Sequence, residues 1–126
     1  MALTQRLNRA GGFMVSRANG YRAMAGITLV SGQNLQAGRV LGKITASGKY
    51  KEYNPGNSDG SEVVAGILWD DTDATSADKK AAAVVRAAEV NQGEISWFSG
   101  ASGGQITAGI AGLTALGVIC RPSVPA

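Results

Sequence analysis

A chain of 126 residues with 44% hydrophobic side chains and 18 glycines is long enough for one domain with a core and too short for two ordinary ones. A single cysteine, Cys120, excludes an intramolecular disulfide, and the absence of histidine removes the usual partner for a zinc site or a nucleophile-base pair. The net charge of +3 hides a lopsided distribution: residues 1–51 carry eight Lys or Arg and no acid, and from Glu52 onward nine acids face four bases. The front is therefore +8 and the rest −5, a dipolar pattern suited to docking on an acidic surface or to head-to-tail contact between copies.

Residues 1–25 mix Gly11, Gly12 and Gly20 with scattered arginines, and their apolar groups are too sparse for a helical period, which predicts a flexible arm. Within it, Phe13, Met14, Val15 and Ser16 form one short run of good strand formers, with Tyr21 as a second anchor. Arg6 and Arg9 precede an apolar stretch that glycine and arginine interrupt before it becomes a signal sequence, so the chain reads as made and kept in the cytoplasm. No apolar run approaches the ~20 residues of a membrane helix.

From Ile27 the texture changes to short apolar segments separated by turn chemistry, as an all-β domain requires. Strands are expected over residues 28–30 and 39–45, joined by a tight loop over 31–38. Ala46, Ser47 and Gly48 turn the chain into a strand over 49–53, and the dense loop signal from Asn54 to Gly60 precedes an apolar strand over 63–69. Residues 70–78 are polar and predict a loop. Residues 79–90 are ambiguous: the alanines favour helix, whereas Val84, Val85 and Val90 favour strand and no clean helical face emerges. Another short strand is expected over 94–98. Ile106, Ile110, Leu113 and Leu116 share one helical face and mark the one sizeable helix, with Gly117 at its C-terminal cap and a last strand over 118–121 before Pro122.

Signals for small-molecule chemistry are weak. Gly38 to Lys43 and Gly42 to Lys49 each end in Gly-Lys after an earlier glycine, but the spacing is wrong for a phosphate loop and no Ser or Thr follows the lysine. Asp70, Asp71, Asp73 and Asp78 supply hard oxygen ligands without the glycine and closing glutamate of a calcium loop, so strand-end capping is the preferred reading and no metal or cofactor is expected. A biotinyl-type carrier would need a lysine flanked by methionines, and none is present. The basic front half leaves one alternative, a nucleic-acid-binding accessory protein, although its charges are too dispersed for a dense patch. Trp69, Trp97 and Phe98 sit at strand ends and read as core or subunit-contact residues.

The segments FMVSRANGYR (13–22), QNLQAGRVLGKITASGKY (33–50), AGILW (65–69) and AAEV (87–90), together with Asp59-Gly60 and Trp97, resemble the head decoration protein family of tailed phages, in order over about residues 12–121. The resemblance implies a mainly β domain of β-clip or β-tulip type, small and barrel-like, with one short C-terminal helix and an extended N-terminal arm; it also implies strand over 79–90. It divides the chain into a flexible capsid-binding arm (1–25), a β-rich domain (26–121) and a tail (122–126). It implies a non-enzymatic homotrimer on the outer surface of the virion capsid, stabilising the expanded head against internal DNA pressure, with no membrane or small-molecule partner. The family's arm adds a strand to the major capsid protein, which places that role on Phe13, Met14, Val15, Ser16, Arg17 and Tyr21. Trp69, Trp97 and Phe98 become candidates for the trimer contact. One departure is local: Phe98 stands where the family often has proline after its tryptophan.

Overall fold

Alternation of apolar and polar residues builds a fold with two main β layers and one short two-stranded ribbon. The computed structural model describes residues 12–17 and 23–122. In chain order the elements are β1 (Met14–Arg17), β2 (Met24–Leu29), β3 (Gln33–Leu35), β4 (Val40–Lys43), β5 (Tyr50–Glu52), β6 (Val64–Leu68), β7 (Thr72–Ala74), β8 (Lys79–Val84), β9 (Ala88–Asn91), α1 (Gly103–Leu116) and β10 (Val118–Arg121). Five of them close into a barrel in the order β2-β5-β4-β6-β8. Antiparallel pairing of β2 with β8 runs from Met24 opposite Val84 to Leu29 opposite Lys79. The expected hairpin of β4 and β5 pairs Leu41 with Glu52 and Lys43 with Tyr50. Closure rests on a single parallel pair, Leu29 with Tyr50.

Because successive strand residues face opposite sides, neighbours on one strand join different cores. Leu41, Leu68 and Ala83 meet Ile27 and Leu29 in one cluster, to which β2, β4, β6 and β8 all contribute. Val40, Ile67 and Val84, one position away on the same strands, meet Val90, Leu113 and Val118 in the other, between the barrel and the second layer. Gly42 lets the loop over residues 54–62 close down on β4, since a side chain there would overlap the Ser61 backbone. Ser61 is fully buried and satisfied: it donates to the Asp59 carboxylate and accepts from Asn57 Nδ2 at 2.8 Å.

The second layer is a three-stranded sheet, β1-β9-β10, with β9 antiparallel to β1 and parallel to β10. Helix α1 leads into β10. Ser102 caps its N-terminus in a reciprocal box with Gln105, and Gly117 caps its C-terminus at φ 90°, a left-handed conformation that favours glycine. Among the described residues no helix is long and apolar enough to cross a membrane.

Several sequence expectations are corrected. The loops expected over 31–38 and 70–78 contain β3 and β7, which pair with each other from Gln33 opposite Ala74 to Leu35 opposite Thr72. These strands bury Leu35, Thr72 and Ala74 but are only three residues long and lie in polar, turn-rich stretches, so local pattern does not reveal them. The stretch 79–90 is strand but not one strand: it breaks where Ala87 takes a positive φ of 52°, as the chain leaves the barrel for the second sheet. Residues 94–98 form only an isolated bridge, Ser96 with Arg39. On α1, Leu113 is buried, Ile106 and Ile110 are half-buried, and Leu116 is exposed. The reason is Trp97, whose indole occupies the space beside Gly109, so the helix packs through a glycine at the centre of its inner face.

Candidate functional site

The residues expected in the arm fall partly inside the folded body. Phe13 is only 2% exposed, lies in the core cluster beneath the second layer, and meets Trp69 edge to face with ring centroids 6.2 Å apart. Its carbonyl accepts the Asn91 N–H at 2.7 Å, which starts the pairing of β1 with β9. Met14 is half-buried against the same core. The register then slips between Met14 and Ser16, a bulge that turns Val15 outward at 44% exposure. Arg17 ends β1 opposite Ala88, and Tyr21 lies outside the described residues.

One carboxylate ties this strand down. Glu89, on the central strand β9, accepts from Ser16 Oγ at 2.7 Å on one side and from Arg121 Nε at 2.6 Å on the other. It therefore clasps the strand nearest the N-terminus and the strand nearest the C-terminus onto the same neighbour. The Ser16 hydrogen bond, followed by the hydrogen bond and charge of Arg121, holds its carboxyl below the ordinary glutamate range. Glu89 lies within the AAEV segment that carries the resemblance, but no local pattern gives it or Arg121 a role, because the clasp exists only once β1 and β10 flank β9. Among the described residues β1 has no strand on its far side, so the sheet offers an open edge beside the exposed Val15.

The three aromatics expected at a subunit contact serve the chain's own packing first. Trp69 is half-buried against Phe13. Trp97 is half-buried between α1 and Tyr53, and Phe98, 8% exposed, meets Tyr53 edge to face at 6.1 Å. Burial of Tyr53 in this aromatic nest raises its phenol's pKa. Exposed apolar groups lie elsewhere, at Val15, Val63, Leu116 and Ile119. Helix α1, with much of its surface in solvent, carries no charged residue along its 14 positions. That absence of charge was readable in the sequence and is unusual for an exposed helix.

Part of the charge asymmetry of the sequence is folded against itself. Arg39 pairs with Glu52, Lys49 with Asp78 and Lys51 with Asp59, which joins bases of the front half to acids of the rear and leaves no dense basic patch among them. The acidic loop is structural: Asp71 accepts the Ala37 N–H at 2.9 Å, Asp78 accepts that of Ser31 at 2.8 Å, and Asp73 accepts that of Thr75 at 3.0 Å. No group of three metal-ligating side chains converges among the described residues. Cys120 is half-buried beside the core, and burial raises its thiol's pKa.

A packing module with a clasped terminal strand, an open sheet edge and an uncharged helix has the features of an assembly component. The model of the family described as bacteriophage lambda head decoration protein D matches residues 2–118. The chain belongs to that family. No curated protein matches it. Membership makes it a phage structural protein associated with the capsid of the virion, and the match begins at residue 2, so it includes leading residues for which the resemblance read from the sequence supplied no counterpart.

Proposed function

We propose that the protein is a capsid cement: it binds the outside of the expanded phage head as homotrimers, stabilises the shell against DNA pressure, and adds a strand to the major capsid protein through its N-terminal segment. The observation that carries this reading, beside the family, is the position of β1. It is already extended, anchored by Phe13 and clasped by Glu89, with one edge unpaired among the described residues.

That arrangement answers an energetic difficulty. Ordering a free segment costs about 1 to 2 kcal/mol per residue, whereas each backbone hydrogen bond returns about 0.5 to 1.5 kcal/mol net. A strand held in place by its own domain has met most of that cost before it meets the shell. Phe13 and Met14 then act as the anchor, while Val15 and the β1 edge face the partner. A trimer presents three such edges together, so modest single contacts combine into a lasting attachment. Trp69 and Trp97 keep part of their rings exposed and can reach a neighbouring subunit, with the buried Phe98 supporting them from behind.

The substitution Val15→Asp, at an exposed position of β1, separates attachment from folding. It should leave a folded trimer, read as mass in solution, whose binding to expanded heads is strongly weakened in a sedimentation assay. Binding at full strength by that variant would refute the role given to β1, and a monomeric mass for the intact chain would refute the trimer.

A further inference from the structure

The barrel closes most thinly along one seam, between β2 and the hairpin of β4 and β5. β2 pairs with β8 along its whole length but touches β5 only where Leu29 meets Tyr50. In an extended strand the N–H and C=O groups of successive residues point to opposite edges. Val30 donates its N–H to the Tyr50 carbonyl at 2.9 Å, so the even-numbered residues of β2 turn their backbone groups toward the seam. The opposite strand agrees: Ala82, which faces Gly26, gives its carbonyl to Trp69 N–H at 2.9 Å, away from β2. The N–H and C=O of Gly26 and the N–H of Thr28 therefore face a gap with no strand beside them among the described residues. A side chain at Gly26 would meet nothing within 4 Å, so nothing crowds that edge.

The gap is a groove of about 500 Å³. Its floor is the margin of the barrel core, where Ala25, Tyr50 and Ala81 are only partly covered. Its rim carries Lys43 and Lys80, both exposed. Their neighbours Lys49 and Lys51 are each paired with an aspartate, but no acid pairs with Lys43 or Lys80 among the described residues. Lysines beside an open edge discourage neutral or basic strands from pairing with it; for an acidic strand the same charges are complementary.

The geometry points to a strand-accepting groove whose occupant is an extended, acidic segment of a partner protein. Such a segment lies along β2, exchanges backbone hydrogen bonds with Gly26 and Thr28, and sets small side chains on the shallow floor. Alternate residues of the added strand share one face, so with small residues on the floor the acids run along the outer face beside Lys80, which lies opposite Thr28, and within the field of Lys43 at the other rim. This groove is built from β2, β4, β5 and β8, whereas the edge assigned above to the shell belongs to β1 in the other layer.

The full chain, labelled with nitrogen-15, tests this when titrated with a short soluble peptide alternating glutamate and threonine, and separately with the same peptide carrying lysine in place of glutamate. The acidic peptide should shift the amides of Gly26 and Thr28 and slow their hydrogen exchange, and added salt should weaken the effect. The exposed double substitution Lys43→Glu with Lys80→Glu, checked for folding by its spectrum, should weaken binding by about tenfold or more. Unmoved Gly26 and Thr28 amides, equal binding of the lysine peptide, or undiminished binding by the charge-reversed protein would each overturn the proposal. No phage head enters the experiment, so its failure is distinct from a failure of the cement reading.

Discussion

The second sheet and the barrel seam handle exposed strand edges in opposite ways. In the sheet, β9 is covered on both sides, and Glu89 fastens β1 and β10 to it through Ser16 and Arg121 while Phe13 plugs the core beneath. At the seam, β2 has one neighbour along its length and a single contact with the other, with a glycine and two unpaired lysines where a further strand would lie. One region is fastened by specific side-chain chemistry and leaves its edge at β1; the other leaves its edge beside a glycine and two lysines. On the two readings proposed above, this contrast gives one small module two edges of different selectivity.

Substitutions can break either side of that contrast. The largest effect is expected at the plug: Phe13→Ala removes a nearly fully buried ring and should cost about 3 to 5 kcal/mol in urea unfolding, enough to loosen β1 and with it head binding. A cost under about 1 kcal/mol would mean that β1 is not part of the stable fold. Next, Gly109→Val forces a side chain into the Trp97 indole and should cost about 1 to 3 kcal/mol through overpacking, with the loss visible in tryptophan fluorescence.

The clasp itself predicts a pH dependence. Because the folded-state pKa of Glu89 is lowered, its contribution is present above the unfolded value of about 4.3 and is lost as pH falls through the lower folded value. Glu89→Gln should therefore remove part of the acid destabilisation seen between neutral pH and about pH 3; an unchanged acid profile would deny the clasp. The smallest stability change belongs to the seam. Gly26→Val places a good strand former in open space, so it should leave unfolding within about 1 kcal/mol of the parent, on the stabilising side, whereas a large loss would show that the edge is already occupied.

Much of this was legible in local pattern. The strands β4, β5, β6 and β10, the helix and its cap at Gly117 follow from alternation, helical spacing and glycine placement. What escaped was non-local. Residues 13–17 read as arm because no apolar neighbours lie nearby in sequence, yet Phe13 finds Trp69 across the fold. The pairing of β3 with β7 joins two polar stretches that neither would make alone. Trp97 as the partner of Gly109 explains why the apolar face of α1 is only partly buried, since periodicity does not say what a helix packs against. Glu89 looked like one more surface acid until strands from both ends of the chain came to flank it.

Electron microscopy of expanded heads incubated with the protein bears most directly on its assignment as a capsid cement. The account predicts density in groups of three on the outer surface, with the β1 edge of each copy running beside a strand of the shell protein. Undecorated heads, or copies attached through a surface remote from β1, would contradict it.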